Sequence, residues 1–185
     1  MELREQIQNF IPFNEQEEKD KESYLKFIDT FDDVLTRDNI FGHFSASALV
    51  LNKDKTKMLV VYHIINDGWI YPGGHADGET DLLSVAVREV EEETGLKATV
   101  LSKDIFSIQA DPVRPHIKRG KYVSAHVHFD VLYLLEADDK QELVFRDDDS
   151  KGVKWIDIKE ATSEEIVHFA RAVNKKNLER LGLIK

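Results

Sequence analysis

A chain of 185 residues with 42% hydrophobic and 32% charged residues is long enough for one domain with a packed core, and too apolar to stay disordered. A net charge of −10 argues against broad nucleic-acid binding, which relies on neutralising phosphates with Lys and Arg. The absence of cysteine excludes disulfides, thiolate metal sites and a cysteine nucleophile. No apolar run approaches the roughly 18 residues of a membrane helix, and Met1–Gln6 lacks a signal-peptide core. No membrane association and a cytoplasmic location are therefore expected. The acidity still leaves room for a phosphorylated substrate, because a divalent cation held by carboxylates can carry the positive charge.

The pattern predicts helix up to about Asn39. Leu25, Phe27, Ile28, Phe31 and Leu35 recur at near-helical spacing, and Pro12 separates a short first helix from a second. Strands are expected at Phe44–Leu51 and Met58–Tyr62, joined by a turn at Asn52–Lys55. Trp69–Tyr71 is a short strand that Pro72-Gly73-Gly74 breaks. Asp81–Thr94 is the clearest helix, with Leu83, Ala86, Val87 and Val90 as its apolar stripe, Thr80 as N-cap and Gly95 as its stop. Further strands are expected at Ala98–Leu101, Ile105–Gln109, Tyr122–Leu135 and Gly152–Ile156. An amphipathic helix from Ser163, its N-cap, to Leu181 ends at Gly182. Interleaved strands and helices give an α/β or α+β class, a mixed sheet covered by helices.

Glu89, Glu92 and Glu93 stand at i, i+3 and i+4 on one face of the Asp81–Thr94 helix. Like charges at this spacing destabilise an isolated helix, and a cation between them turns the penalty into coordination. A solvent-exposed acidic helix has the same spacing, so the spacing alone leaves both readings open.

The surrounding residues narrow the choice. Arg88-Glu89-Val90-Glu91-Glu92-Glu93-Thr94-Gly95-Leu96, with Gly74 fourteen positions before Arg88, resembles the Nudix box G-x5-E-x7-R-E-U-x-E-E-x-G-U without insertion or deletion, where U is bulky and aliphatic. One position departs from it: Thr80 stands where the family has a supporting glutamate, and Glu79 or Asp77 could take over as partner of Arg88. The resemblance implies a Nudix fold over residues 41–185, with residues 1–40 as an N-terminal helical extension. That extension could cover the sheet, form a homodimer interface or reach the substrate pocket. The resemblance also implies Mg²⁺ or Mn²⁺ on Glu89, Glu92 and Glu93, with the carbonyl of Gly73 or Gly74 as a further ligand. The implied activity is hydrolysis of the pyrophosphate link in a nucleotide sugar, ADP-ribose, CDP-alcohol, dinucleotide or NTP. The alternative is a Nudix-fold nucleotide sensor that binds without cutting. A fold-sharing isomerase is disfavoured because its chemistry uses a cysteine.

Outside the box, Asp149 in the Asp147-Asp148-Asp149 run is the first candidate for a base or extra ligand, with Glu142 behind it. Arg114, His116, Lys118, Arg119 and Lys121 form a basic segment, marked as a loop by Pro112, Pro115 and Gly120, that could grip a distal phosphate or leaving group. His126, His128 and Asp130 alternate along one strand and face one way, which suits a polar pocket better than a second metal site. His75, directly after the glycine pair, could approach substrate.

Overall fold

The computed structural model describes residues 2–64, 67–118, 120–144, 150–161 and 168–185. Two helices open the chain, α1 (Leu3–Asn9) and α2 (Glu15–Ile28). Strands β1 (Gly42–Asn52), β2 (Lys57–His63), β3 (Gly68–Ile70) and β4 (Gly73–His75) lead to helix α3 (Leu82–Thr94). The rest comprises β5 (Thr99–Val100), β6 (Ser107–Val113), β7 (His116–Lys118), β8 (Lys121–Val123), β9 (His126–Ala137), β10 (Ser150–Asp157) and α4 (His168–Arg180). No helix among the described residues is long and apolar enough to cross a membrane.

The central sheet runs β10-β2-β1-β9-β5, with β3 on β2, β4 on β1 and β6 on β9. β1 and β9 pair in parallel from Gly42↔Val127 to Asn52↔Ala137, and the other pairings of this sheet are antiparallel. The expected mixed sheet between helices is thus what forms. Side chains alternate faces along β1, so Phe44, Ala46, Ala48 and Val50 enter one core and Leu49 and Leu51 another. The first core takes Ile7 of α1, Tyr24 and Phe27 of α2, and Leu82, Val85, Ala86 and Val90 of α3. The second takes Met58, Val60, Leu132, Ile156 and Leu178 of α4.

The amino-terminal helices belong to the first core. Phe27 stacks on Phe129 with ring centroids 4.2 Å apart. The Tyr24 hydroxyl lies 2.8 Å from the Gln109 carbonyl and 2.5 Å from that of Asp130, and accepts the Gln109 N–H. Buried aromatics of this kind contribute about 1.5–3 kcal/mol each.

Several boundaries differ from expectation. α2 stops at Ile28, and Phe31 and Leu35 reach the core from an irregular segment; helix-like spacing there reflects burial without helix. The N-cap of α3 is Asp81, whose carboxylate accepts the Ser84 N–H, and not Thr80. The buried stripe of α3 is Leu82, Val85, Ala86 and Val90, rotated slightly from the expected one, while Leu83 and Val87 are partly buried beside it. The Tyr122–Leu135 strand is split into β8 and β9 around Ser124. β6 continues through Pro112 to Val113, and the basic segment is a hairpin of β7 and β8 that turns near Gly120, which has φ of 76°. Gly182, at φ of 68°, closes α4 as expected: the N–H groups of Gly182 and Leu183 return to Glu179 and Leu178. The expected N-cap Ser163 lies outside the described residues.

Candidate active site

Strand β4 and the face of α3 build the carboxylate site together. Gly74 pairs with Ala46 of β1, on the face that carries α3. A Cβ on Gly74 would lie 2.4 Å from the Glu89 carboxyl carbon, so glycine is what lets Glu89 rest on the strand. The Gly73 N–H donates to Glu93 Oε2 at 2.9 Å. Burial raises the Glu89 pKa; Arg88 opposes this with a contact at 3.3 Å, and the charges of Glu92 and Asp77 add to the rise. Glu92 itself is exposed. Glu89 and Glu93 are thus fixed against the glycine strand, and together with Glu92 they gather carboxylates on one face of α3, where Arg88 contacts Glu89. Clustered carboxylate oxygens, beside backbone carbonyls of β4, fit a hard divalent cation. The three carboxylates do not converge within 4.8 Å of one another; among the described residues only a histidine group does so.

Neither Glu79 nor Asp77 meets Arg88, contrary to expectation. The Glu79 carboxylate accepts the Asp81 N–H at 3.4 Å. Asp77, at φ of 48°, is held by Arg37 through contacts of 2.7 and 2.5 Å, and that guanidinium keeps its carboxyl below the usual range. The Gly78 N–H binds the Leu35 carbonyl as well, so the residues before β1 brace the loop between β4 and α3. Sequence reasoning missed Arg37, which carries no pattern of its own.

The opposite face of the sheet is polar at one end. Along β1 the residues facing one way are His43, Ser45, Ser47, Leu49 and Leu51, polar first and then apolar beneath α4. In register, His43 lies against His128, and Ser45 against both Asp130 and His75. Ser45 donates to Asp130 at 2.8 Å and Ser47 donates to its other oxygen, while burial raises the Asp130 pKa against these bonds. His128 Nε2 stands 3.2 Å from His75 Nε2 and 3.1 Å from His126 Nε2. Burial pushes the imidazoles down, to about 4 in His43, about 3 in His75 and about 2 in His128, with neighbouring positive charge helping. These three rings are therefore neutral at ordinary pH. His126 and His128, expected to share a face with Asp130, stand side by side there, and His75 and the unforeseen His43 lie against His128. Asp111, opposite His128 on β6, is pushed up to about 8 by burial and by Asp130.

The basic segment lies close to this pocket at one point, since the charge of Lys118 is felt by His75. Arg114 and Lys121 are exposed, and His116 turns Nδ1 to the Arg114 carbonyl at 2.9 Å. Arg119 and Asp149 lie outside the described residues. Glu142 is exposed, two residues before Val144, whose N–H binds the Thr94 carbonyl at the end of α3. The segment leading to Asp149 therefore starts beside the carboxylate helix.

A model of the NUDIX domain matches residues 42–176. The chain belongs to the NUDIX family. It is 30% identical over 139 residues to an RNA pyrophosphohydrolase of Pelagibacter ubique, covering 72% of this chain and 87% of that protein. A probable DHNTP pyrophosphohydrolase of Lactococcus lactis is 31% identical over 97 residues, 52% of this chain and 55% of the other. A solved Nudix hydrolase from M. smegmatis shares the fold at 16% identity with a TM-score of 0.56, covering 82% of this chain and 95% of that chain. The Nudix family is one of pyrophosphate-cleaving hydrolases, and the chain is an enzyme of that type.

Proposed function

We propose that this Nudix enzyme hydrolyses the pyrophosphate link of a nucleoside diphosphate joined to a further group, with Mg²⁺ or Mn²⁺ held by Glu89, Glu92, Glu93 and a carbonyl of the Gly73-Gly74 strand. The observation that carries this reading is the seat of Glu89 on Gly74, beside Glu92 on the same helix face and next to the Arg88 guanidinium. When bound, the cation offsets charge on the phosphate oxygens and lowers the pKa of an attacking water. The chain's own part is placement. Gly73 orients Glu93 through its N–H, Arg88 steadies Glu89, and Arg37 fixes the loop that precedes α3.

Substrate choice would then fall to the β7–β8 hairpin and the pocket. Arg114, Lys118, Lys121 and the exposed Tyr122 supply local positive charge and a stacking ring in an otherwise acidic protein. His75, His126 and His128 line the polar end of the sheet nearby. The segment holding Asp149 and Glu142 would supply the base. Residues 1–40 are read as an extension that braces the box loop. Small nucleotides are favoured by the net charge, and RNA is tested beside them because two relatives are named RNA pyrophosphohydrolase.

The test incubates the full chain with Mg²⁺ and nucleotide sugars, ADP-ribose, CDP-alcohols, dinucleotides, NTPs and 5′-triphosphorylated RNA, resolving products by mass. One substrate is expected to give two phosphorylated products. Glu92→Gln and Glu93→Gln should lower kcat/KM at least about 100-fold, the scale of several kcal/mol that metal catalysis supplies. An inert wild type with either cation that nevertheless binds one compound tightly would overturn the hydrolase in favour of a sensor.

A further inference from the structure

The histidines on the far side of β4 are not used by the carboxylate chemistry. One ligand nitrogen from each of His43, His75 and His128 lies within 4.8 Å of the other two. Ring centroids of these three are 4.7–5.0 Å apart, and His126 packs 5.1 Å from His43 and 5.0 Å from His128. Four imidazoles therefore converge from β1, β4 and β9 on one point of the sheet.

The hydrogen bonding of this cluster does not close. His126 Nδ1 lies 2.8 Å from the Ser124 carbonyl, which can only accept, so that nitrogen carries a proton and, in the neutral ring, Nε2 presents a lone pair. His128 Nε2 faces that lone pair at 3.1 Å and His75 Nε2 at 3.2 Å. A neutral imidazole nitrogen has one in-plane position, a proton or a lone pair, and cannot serve two partners. His43 is 5% exposed, and neither of its ring nitrogens has a well-formed hydrogen bond among the described residues, the Asn39 backbone offering only a poorly aligned contact. Leaving such a group unpaired in a protein interior costs about 1–3 kcal/mol.

A metal ion shared by His75 and His128 removes the conflict between these two rings. Two nitrogens on a tetrahedral ion at 2.0–2.1 Å stand about 3.3 Å apart, close to the separation of His75 and His128. We propose that His43, His75 and His128 form a second metal site, taking a late first-row divalent cation of the Zn²⁺ class. Imidazole donors suit Zn²⁺, Co²⁺, Ni²⁺ and Cu²⁺, whereas Mg²⁺ and Ca²⁺ prefer oxygen. Three histidines are the ligand count of sites that keep one position open. The site is separate from the box site, because successive residues of β4 face opposite ways: Gly74 faces Glu89 and His75 faces the cluster. It also ties β4, and through it the loop before α3, to the parallel β1–β9 pair. The proposal does not depend on which substrate the enzyme cleaves, or on whether it cleaves one.

The experiment uses the full chain freed of metal with a chelator, then loaded with Zn²⁺ or Co²⁺ and passed over a desalting column. Retained metal is counted by mass spectrometry, and the Co²⁺ form is read by visible absorption. Wild type and Glu92→Gln should both keep close to one equivalent, with an intense band of low-symmetry nitrogen-bound Co²⁺. His128→Asn and His75→Gln should bind it at least about 100-fold more weakly, beyond the loss typical of an outer-shell change. Melting curves of the metal-free variants establish that they fold. His75 is less buried than His43, and His75→Gln carries the test should His128→Asn fail to fold. A wild type that retains no ion overturns the proposal. So does retention that Glu92→Gln abolishes while the histidine variants keep it.

Discussion

The two glycines of β4 do different work, although they are neighbours of the same type. A Cβ on Gly73 would lie 2.6 Å from Ser47 Cβ and 2.7 Å from the Ala46 carbonyl oxygen, so backbone has to move. A Cβ on Gly74 meets first the end of the Glu89 side chain, which can swing away. Gly73→Ala is therefore expected to lower Tm, on the scale of the 1–3 kcal/mol that overpacking costs, about 2–12 °C for a chain of this size. Gly74→Ala should leave Tm within about 2 °C of wild type and reduce kcat/KM at least about tenfold, because Glu89 leaves its seat. Thermal melts and steady-state kinetics on both variants check the pair. A large Tm loss in Gly74→Ala, or normal activity in it, would show that Glu89 is not held by this contact.

At the scale of elements, α3 shows which boundary residue matters. Asp81 caps it by accepting the Ser84 N–H at 3.2 Å and binding the Ser84 hydroxyl at 2.7 Å, whereas Thr80 makes no cap. Asp81→Ala should cost about 1 kcal/mol, a Tm loss of about 2–4 °C, and Thr80→Ala about a tenth of that or less; urea melts of the two distinguish them. Equal losses would restore Thr80 as the cap. The sequence carried the box almost whole, since Arg88 to Leu96 and Gly74 are local and fixed in spacing. The cap was misread by one residue because Thr80 and Asp81 are both good capping types and only backbone geometry separates them. His126 and His128 were legible as a same-face pair through the period of a strand, but His43 was not. Its place beside them depends on the parallel register of β1 and β9, set by strands more than seventy positions apart. The basic segment Arg114–Lys121 reads as a loop in sequence because β7 and β8, the strands of its hairpin, are only three residues each.

For the whole molecule, the question is what fastens the amino-terminal helices and α4 to the sheet they cover. Glu17 of α2 is fully buried and accepts from the Phe13 N–H at 2.8 Å and the Ser107 hydroxyl of β6 at 2.6 Å. It also pairs with Lys176 at 2.9 Å and Arg180 at 3.2 Å, both on α4. One carboxylate therefore joins α2, the edge strand and the last helix. Burial alone would drive Lys176 toward its neutral form, and Glu17 works against that. Removing one partner of a buried pair costs about 3–5 kcal/mol, because the other charge stays buried without compensation. Glu17→Ala should accordingly lower Tm on the order of 10 °C. Asp29→Ala serves as the comparison, since it breaks a bidentate pair with Arg4 whose partners are 50% and 48% exposed. Such surface pairs are screened by solvent and contribute little, so its Tm should move by no more than a few degrees. Replacing both members of the buried pair, Glu17→Leu with Lys176→Met, should recover much of the loss, because an apolar pair of similar volume needs no compensation. If the double substitution melted as low as Glu17→Ala, the stabilisation would come from the Phe13 and Ser107 hydrogen bonds, and the ion pair would be incidental to how α4 is held.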